Sequence, residues 1–127
     1  MDVIMLSKAE NDYLLIKAQG NIVDSEEHKL LTKRFYNEIV KYRSRKIIID
    51  VSKINFPLSF EFHNNIFKFY EEELPSEIKF WKIAVVDESS YRELGKYWEF
   101  KANQNGYNNY KVFSSMSEAL IFINDSS

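Results

Sequence analysis

Asp50 and Asp87 each follow a run of apolar residues rich in Ile and Val, Ile47 to Ile49 and Ile83 to Val86. Such runs read as buried strands, so both carboxylates are expected at strand ends, where a pair facing one crevice could hold Mg2+ or accept phosphate. A phosphate-accepting receiver site also needs an early acidic pair at the end of its first strand. The corresponding strands here end at Ala9 and Glu10 and at Gly20. Turn formation or capping explains the two aspartates more simply. His28 and His63 are the only histidines. They fall on different predicted helices without the paired helical spacing of a zinc site, so no metal is expected, and His28, near a helix start, is expected in solvent. Glu71, Glu72 and Glu73 are consecutive at a helix end, and helical neighbours point about 100° apart, so they read as a solvated face rather than an acid–base pair. Gly20, Gly95 and Gly106 are too scattered to cradle a phosphate. With no cysteine there is neither a thiolate nucleophile nor a Cys-ligated metal. The residues supply no catalytic set and imply no cofactor.

The elements that must position these side chains form a regular series. Residues 3–6 and 13–18 predict two strands turning through Glu10, Asn11 and Asp12, and Gly20 closes the second. Asp24 with Glu27 predicts a capping box for a helix over about 25–43, with Leu31, Phe35, Ile39 and Tyr42 on one face. Strand 46–50 follows, then a connection over 51–57. Pro57 suits the entrance of a second helix over about 58–74, ending before Pro75. After the connector from Ser76 to Trp81 come strand 82–87 and a helix over about 90–104, opened by Ser90 with Glu93 and stopped by Gly106. Its Tyr91, Leu94 and Trp98 share the inward face, while Tyr97 and Phe100 project elsewhere. Tyr110 to Phe113 is the last strand, and Ser115 with Glu118 opens a closing helix through about Ile123.

The order ββαβαβαβα predicts an α/β fold: a mixed, mostly parallel sheet with flanking helices and the first strand as its antiparallel edge. At 127 residues the chain fits a single domain, 1–127. A net charge of −2 with both signs interspersed gives no field for gathering nucleic acid. No apolar run approaches the length of a membrane span, and Met1, Asp2 and Val3 do not begin a signal peptide, so a cytoplasmic protein is expected. The aromatic fraction, 16%, is high. On helix 58–74 the apolar face widens to about half the circumference, so Phe60 and Phe67, flanked by His63, form a candidate aromatic edge.

Asp50, Val51, Ser52, Ile54 and Phe56, leading from the third strand to the second helix, resemble the corresponding stretch of STAS domains. The likeness is closer to their SpoIIAA-like branch. It extends over Gly20, Phe56 and Pro57, Glu73 to Pro75, Lys82 to Val86, Tyr97 to Glu99, Asn105 and Gly106, Val112 and Phe113, and Glu118 and Ala119. The resemblance implies a regulatory domain, an anti-sigma factor antagonist-like protein that docks protein partners through its second helix and the loop before it. In that family the helix starts with an Asp-Ser-Ser-Gly type signature whose serine is phosphorylated. The matching residues are Leu58, Ser59, Phe60 and Glu61, so Phe60 holds the phosphoacceptor position and Ser59 is the one hydroxyl left. A phosphate on Ser59 would sit at a helix N-terminus, where free amides favour it, with Glu61 opposing.

The reading is therefore a non-enzymatic regulatory domain docking a protein partner without a phosphate gate. Its candidate site residues are Ser52, Phe56, Ser59, Phe60, His63, Phe67 and Tyr97, with Ser59 the candidate phosphorylation site. A homodimer is compatible with the aromatic surplus. The alternative is binding or sensing of a small apolar, lipid-like molecule, because SpoIIAA-like domains also resemble lipid-carrying CRAL-TRIO domains.

Overall fold

Five strands form one sheet in the order β1-β2-β3-β4-β5 in a computed structural model that describes residues 2–57, 68–88 and 92–125. The elements are β1 (Asp2–Ala9), β2 (Leu14–Asn21), α1 (Ser25–Tyr42) and β3 (Lys46–Asn55), then helical residues 68–73 (α2) and a 3-10 turn (Ser76–Phe80). They continue with β4 (Lys82–Val86), α3 (Arg92–Gln104), β5 (Tyr110–Phe113) and α4 (Met116–Asn124). β1 runs antiparallel to β2, and every other neighbouring pair is parallel. The mixed α/β sheet with an antiparallel edge is thus the predicted one. The predicted helix 58–74 lies outside the described residues up to 67, and α2 ends before Pro75 as expected. Ser90 and Tyr91 of the next predicted helix start also lie outside them. No helix of the described residues is long and apolar enough to cross a membrane.

Ile47, Ile48 and Ile49 explain the layering. All three are buried at 0%, 0% and 8% exposure. Successive strand residues point to opposite faces, so a run without polar alternation requires cover on both. Ile48 packs with Ala84, Val86, Ala119 and Ile123 beneath α4. Ile47 and Ile49 join Leu14, Ile16, Ile83, Phe69 and Trp81 on the other face. Each fully buried isoleucine contributes about 1.5–3 kcal/mol relative to exposure.

β3 is longer than predicted. Its pairing to β4 stops at Asp50↔Val86, yet pairing to β2 continues to Asn21↔Asn55. The partners step from Lys17↔Asp50 to Gln19↔Lys53, so β3 carries one extra residue, a bulge at Val51 and Ser52. The Ser52 N–H donates to Asp50 Oδ1 at 3.0 Å across it. The bulge shifts the side-chain phase, turning Ile54 inward to Val3, Ala18, Ile22 and Leu31 while Lys53 and Asn55 face solvent. This corrects two expectations: residues 51–55 are strand rather than connecting loop, and Asp50 does not end its strand.

Asp24 Oδ1 accepts from the Glu27 N–H at 2.9 Å, and Glu27 Oε1 accepts from the Val23 N–H at 3.0 Å, so the predicted capping box forms with its return bond one residue earlier. Tyr42 is exposed rather than on the buried face, which runs through His28, Leu31, Thr32 and Ile39. Gly20 sits inside β2 instead of closing it. Its φ of 143° and the approach of β1, which would put a Cβ 2.0 Å from the Asp2 carbonyl oxygen, admit no side chain. Gly106, at φ 92°, ends α3 as predicted, with N–H donations from Gly106 to Asn103 and from Tyr107 to Ala102 that complete a Schellman cap. α1 ends in the same motif at Arg43, a non-glycine residue at φ 55°, with Arg43 N–H donating to Val40 and Ser44 N–H to Ile39.

Arg43→Gly is therefore expected to raise the unfolding free energy by about 0.5–1 kcal/mol in urea titration. A loss of stability would show that the arginine side chain supports the cap.

Candidate functional site

β3, β4 and β5 lay the floor of a cavity of about 120 Å³ with Ile49, Val51, Ile83, Val85, Tyr110 and Val112. α1 supplies one wall through Leu31, Thr32, Phe35, Tyr36 and Ile39. α3 supplies another through Gly95 and Trp98. Gly95 permits that approach, since a Cβ there would meet Val112 Cγ1 at 2.9 Å. The Val112 N–H donates to Glu99 Oε1 at 3.1 Å and fixes α3 against β5.

The cavity has two differently built ends. Toward the carboxyl ends of the strands, His28 lies between Phe56 and Trp98, with ring centroids 5.4 and 5.2 Å away. Toward the amino ends, Tyr36 stacks on Trp81 at 5.8 Å and Tyr70 tilts against Tyr107 at 5.9 Å. Tyrosine hydroxyls and the Thr32 hydroxyl, which donates to the His28 carbonyl at 2.9 Å, are polar points in an apolar lining.

Burial sets the protonation of Tyr70, Tyr107 and Tyr110. It pushes Tyr107 up to about 12, helped by the nearby Glu71 carboxylate. It raises Tyr70 further, with the Thr32 hydroxyl acting in the opposite direction. Tyr110 is raised well above the ordinary range by burial and then by Tyr70 and Glu99. At neutral pH all three are hydrogen-bond donors and acceptors, not bases.

Ser52 lies in β3, where its hydroxyl accepts from the Glu88 N–H at 2.9 Å and reaches the Val86 carbonyl at 3.5 Å, tying the bulge to the end of β4. Phe56 is half-buried and lines the cavity. Tyr97 is half-buried on α3, with Lys101 Nζ 5.9 Å over its ring, and is not among the described lining residues. Ser59, Phe60, His63 and Phe67 lie outside the described residues. Of the candidates described, the structure brings only Phe56 to the cavity.

His28 is 4% exposed, which overturns its expected place in solvent. The signal was present in the sequence: His28 precedes Leu31, Thr32, Phe35 and Ile39 by helical spacings, so it shares their inward face. Asp87 lines the cavity, whereas Asp50 follows Ile48 on the α4 face, so the two carboxylates do not share a crevice. Their strands are parallel neighbours, but opposite pleat phases separate the side chains. No cluster of three or more His, Asp or Glu suited to a metal occurs among the described residues.

A tyrosine whose folded-state value lies above its unfolded value stabilises the fold fully below pH 10 and loses that contribution as pH rises through the folded value. Absorbance titration at alkaline pH should therefore show Tyr107 ionising near 12, and unfolding should set in above pH 10. In Tyr107→Phe the late step should shrink. Ionisation of all eight tyrosines together near pH 10 in the folded protein would contradict the burial described.

No protein-family model matches the chain, and no curated protein matches it in sequence. Solved structures do match it. One is an anti-sigma factor antagonist from Mycobacterium paratuberculosis, with a TM-score of 0.64 at 13% identity, over 97% of this chain and 95% of that one. Another is a protein of the DUF3478 family with a SpoIIAA-like fold from Shewanella loihica PV-4, with a TM-score of 0.56 at 17% identity, over 96% and 94%. The chain has a SpoIIAA-like fold.

Proposed function

We propose that this protein is a non-enzymatic, cytoplasmic regulatory domain that binds a protein partner through the carboxyl end of β3 and the segment that follows. The observation that carries the reading is the fold shared along nearly the whole chain with an anti-sigma factor antagonist. Two local features support it. Among the described residues the strand past Asp50 pairs with β2 alone, and on its β4 side the Ser52 hydroxyl ties it to Val86 and Glu88. The next residues, Phe56 and then Ser59, Phe60, His63 and Phe67, concentrate aromatic groups suited to a recognition surface. Phe60 at the position matching the phosphoacceptor makes the docking constitutive, and Ser59 is the remaining candidate for modification.

Affinity capture compared across variants tests this reading. A protein retained by the wild type and by Ile121→Ser, on the solvent side of α4, should be lost from the Phe60→Ser/Phe67→Ser double variant. The thermal midpoint should stay close to that of the wild type. Undiminished capture by the folded double variant would refute the docking surface.

A second reading, binding of a small apolar molecule, is favoured by the cavity. At about 120 Å³ it is near the size of an engineered cavity that takes benzene, and so suits a single ring better than a long acyl chain. Trp81 and Trp98 line it and report on occupancy. Toluene should shift their fluorescence saturably, and Val85→Phe should remove the response while keeping or raising the thermal midpoint. Destabilisation by Val85→Phe together with no toluene response would show that the space is not a binding site.

A further inference from the structure

The outer edge of β1 has no strand beside it among the described residues. β1 ends the sheet, its eight residues pair only with β2 among the described residues, and it contains no proline. Natural edge strands are normally guarded by proline, bulges or charges, and the charges of β1, Asp2 and Lys8, fall toward its two ends. Here Ile4 and Leu6 stand on one face at 59% and 69% exposure, on the part of the sheet that α4, packed over β3 to β5, leaves open.

We infer that two copies of this chain associate through antiparallel pairing of their β1 strands about a two-fold axis at Met5. An antiparallel pair around an axis matches residues whose numbers have a constant sum, and centring on Met5 makes that sum 10. Ile4 then lies opposite Leu6 of the second copy, and Asp2 opposite Lys8. The exposed face becomes two apolar pairs flanked by two acid–base pairs. Among the described residues Lys8 pairs with Glu10 at 3.4 Å, a solvated contact with the Lys8 side chain 75% exposed and cheap to exchange.

The face beneath α1 gives the same register independently. Arg34 Nη1 donates to the Val3 carbonyl at 3.0 Å, and the Ser7 hydroxyl donates to Glu38 Oε2 at 2.6 Å. Val3 of one copy lies opposite Ser7 of the other, so Arg34 is carried toward Glu38 across the axis. The Val3 carbonyl retains a second lone pair for the ladder. Centring on Ile4 would set Asp2 against Leu6, and centring on Leu6 would set Asp2 against Glu10 and Ile4 against Lys8. Of these three registers only the Met5 register sets apolar against apolar and acid against base on the exposed face.

Sedimentation of the full chain across a concentration series, with charge exchange, tests the arrangement. The wild type should dimerise reversibly. Asp2→Lys and Lys8→Asp should each weaken self-association by roughly tenfold or more, because each turns both acid–base pairs of the dimer into like-charge pairs. An equimolar mixture of the two variants should dimerise about as well as the wild type, since every exchanged pair is then complementary, a recovery that misfolding cannot mimic. Leu6→Lys should be a folded monomer. A wild type that is monomeric throughout, or a dimer indifferent to the single exchanges or not recovered in the mixture, would overturn the proposal.

Discussion

Burying β3 on both faces is the requirement from which the rest of the architecture follows. Ile47, Ile48 and Ile49 offer no polar side to water, and their strand is paired in parallel on both edges. Parallel neighbours cannot be joined by a tight turn, so crossovers must bring helices back over the sheet. α4 covers one face over β3 to β5, and the elements between the strands cover the other. Short side chains make the first contact close: Ala84 and Ala119 are both fully buried between sheet and α4. The opposite face is spanned by aromatic groups held further apart, and the cavity lies among them.

The extension of β3 past β4 links this core to the proposed recognition end. A bulge turns the strand, the Ser52 hydroxyl fastens it to Val86 and Glu88, and Phe56 then packs against His28. Phe56 also lines the cavity. The two functional readings therefore meet at one residue, where the chain leaves the sheet for the stretch containing Phe60 and Phe67. Neutral tyrosines at the far end give the cavity hydrogen-bond donors and acceptors within its apolar lining.

Much of this was legible in the residues. Continuous isoleucine and valine runs identified β3 and β4 as covered strands, and Asp24, Ser115 and Gly106 marked helix ends where they occur. The bulge hid the length of β3, because one extra residue breaks the alternation that identifies a strand. Asp50 looked like a strand end for the same reason. Arg43 gave no stop signal, since left-handed caps are expected at glycine or asparagine. His28 was misplaced by its polarity, although its spacing to Leu31 and Phe35 assigned it to the buried face. The cavity was not legible, because it depends on how far α3 stands from β5, which Gly95 and the Glu99 tie decide.

Amide hydrogen exchange under native conditions tests most directly whether β3 is the element on which the others rest. Amides of Ile47, Ile48 and Ile49 should be among the slowest, exchanging only through global unfolding and with the denaturant dependence of the whole fold. If those amides exchange through local opening while β1 or β5 remains protected, β3 is not the keystone and the order of dependence argued above is wrong.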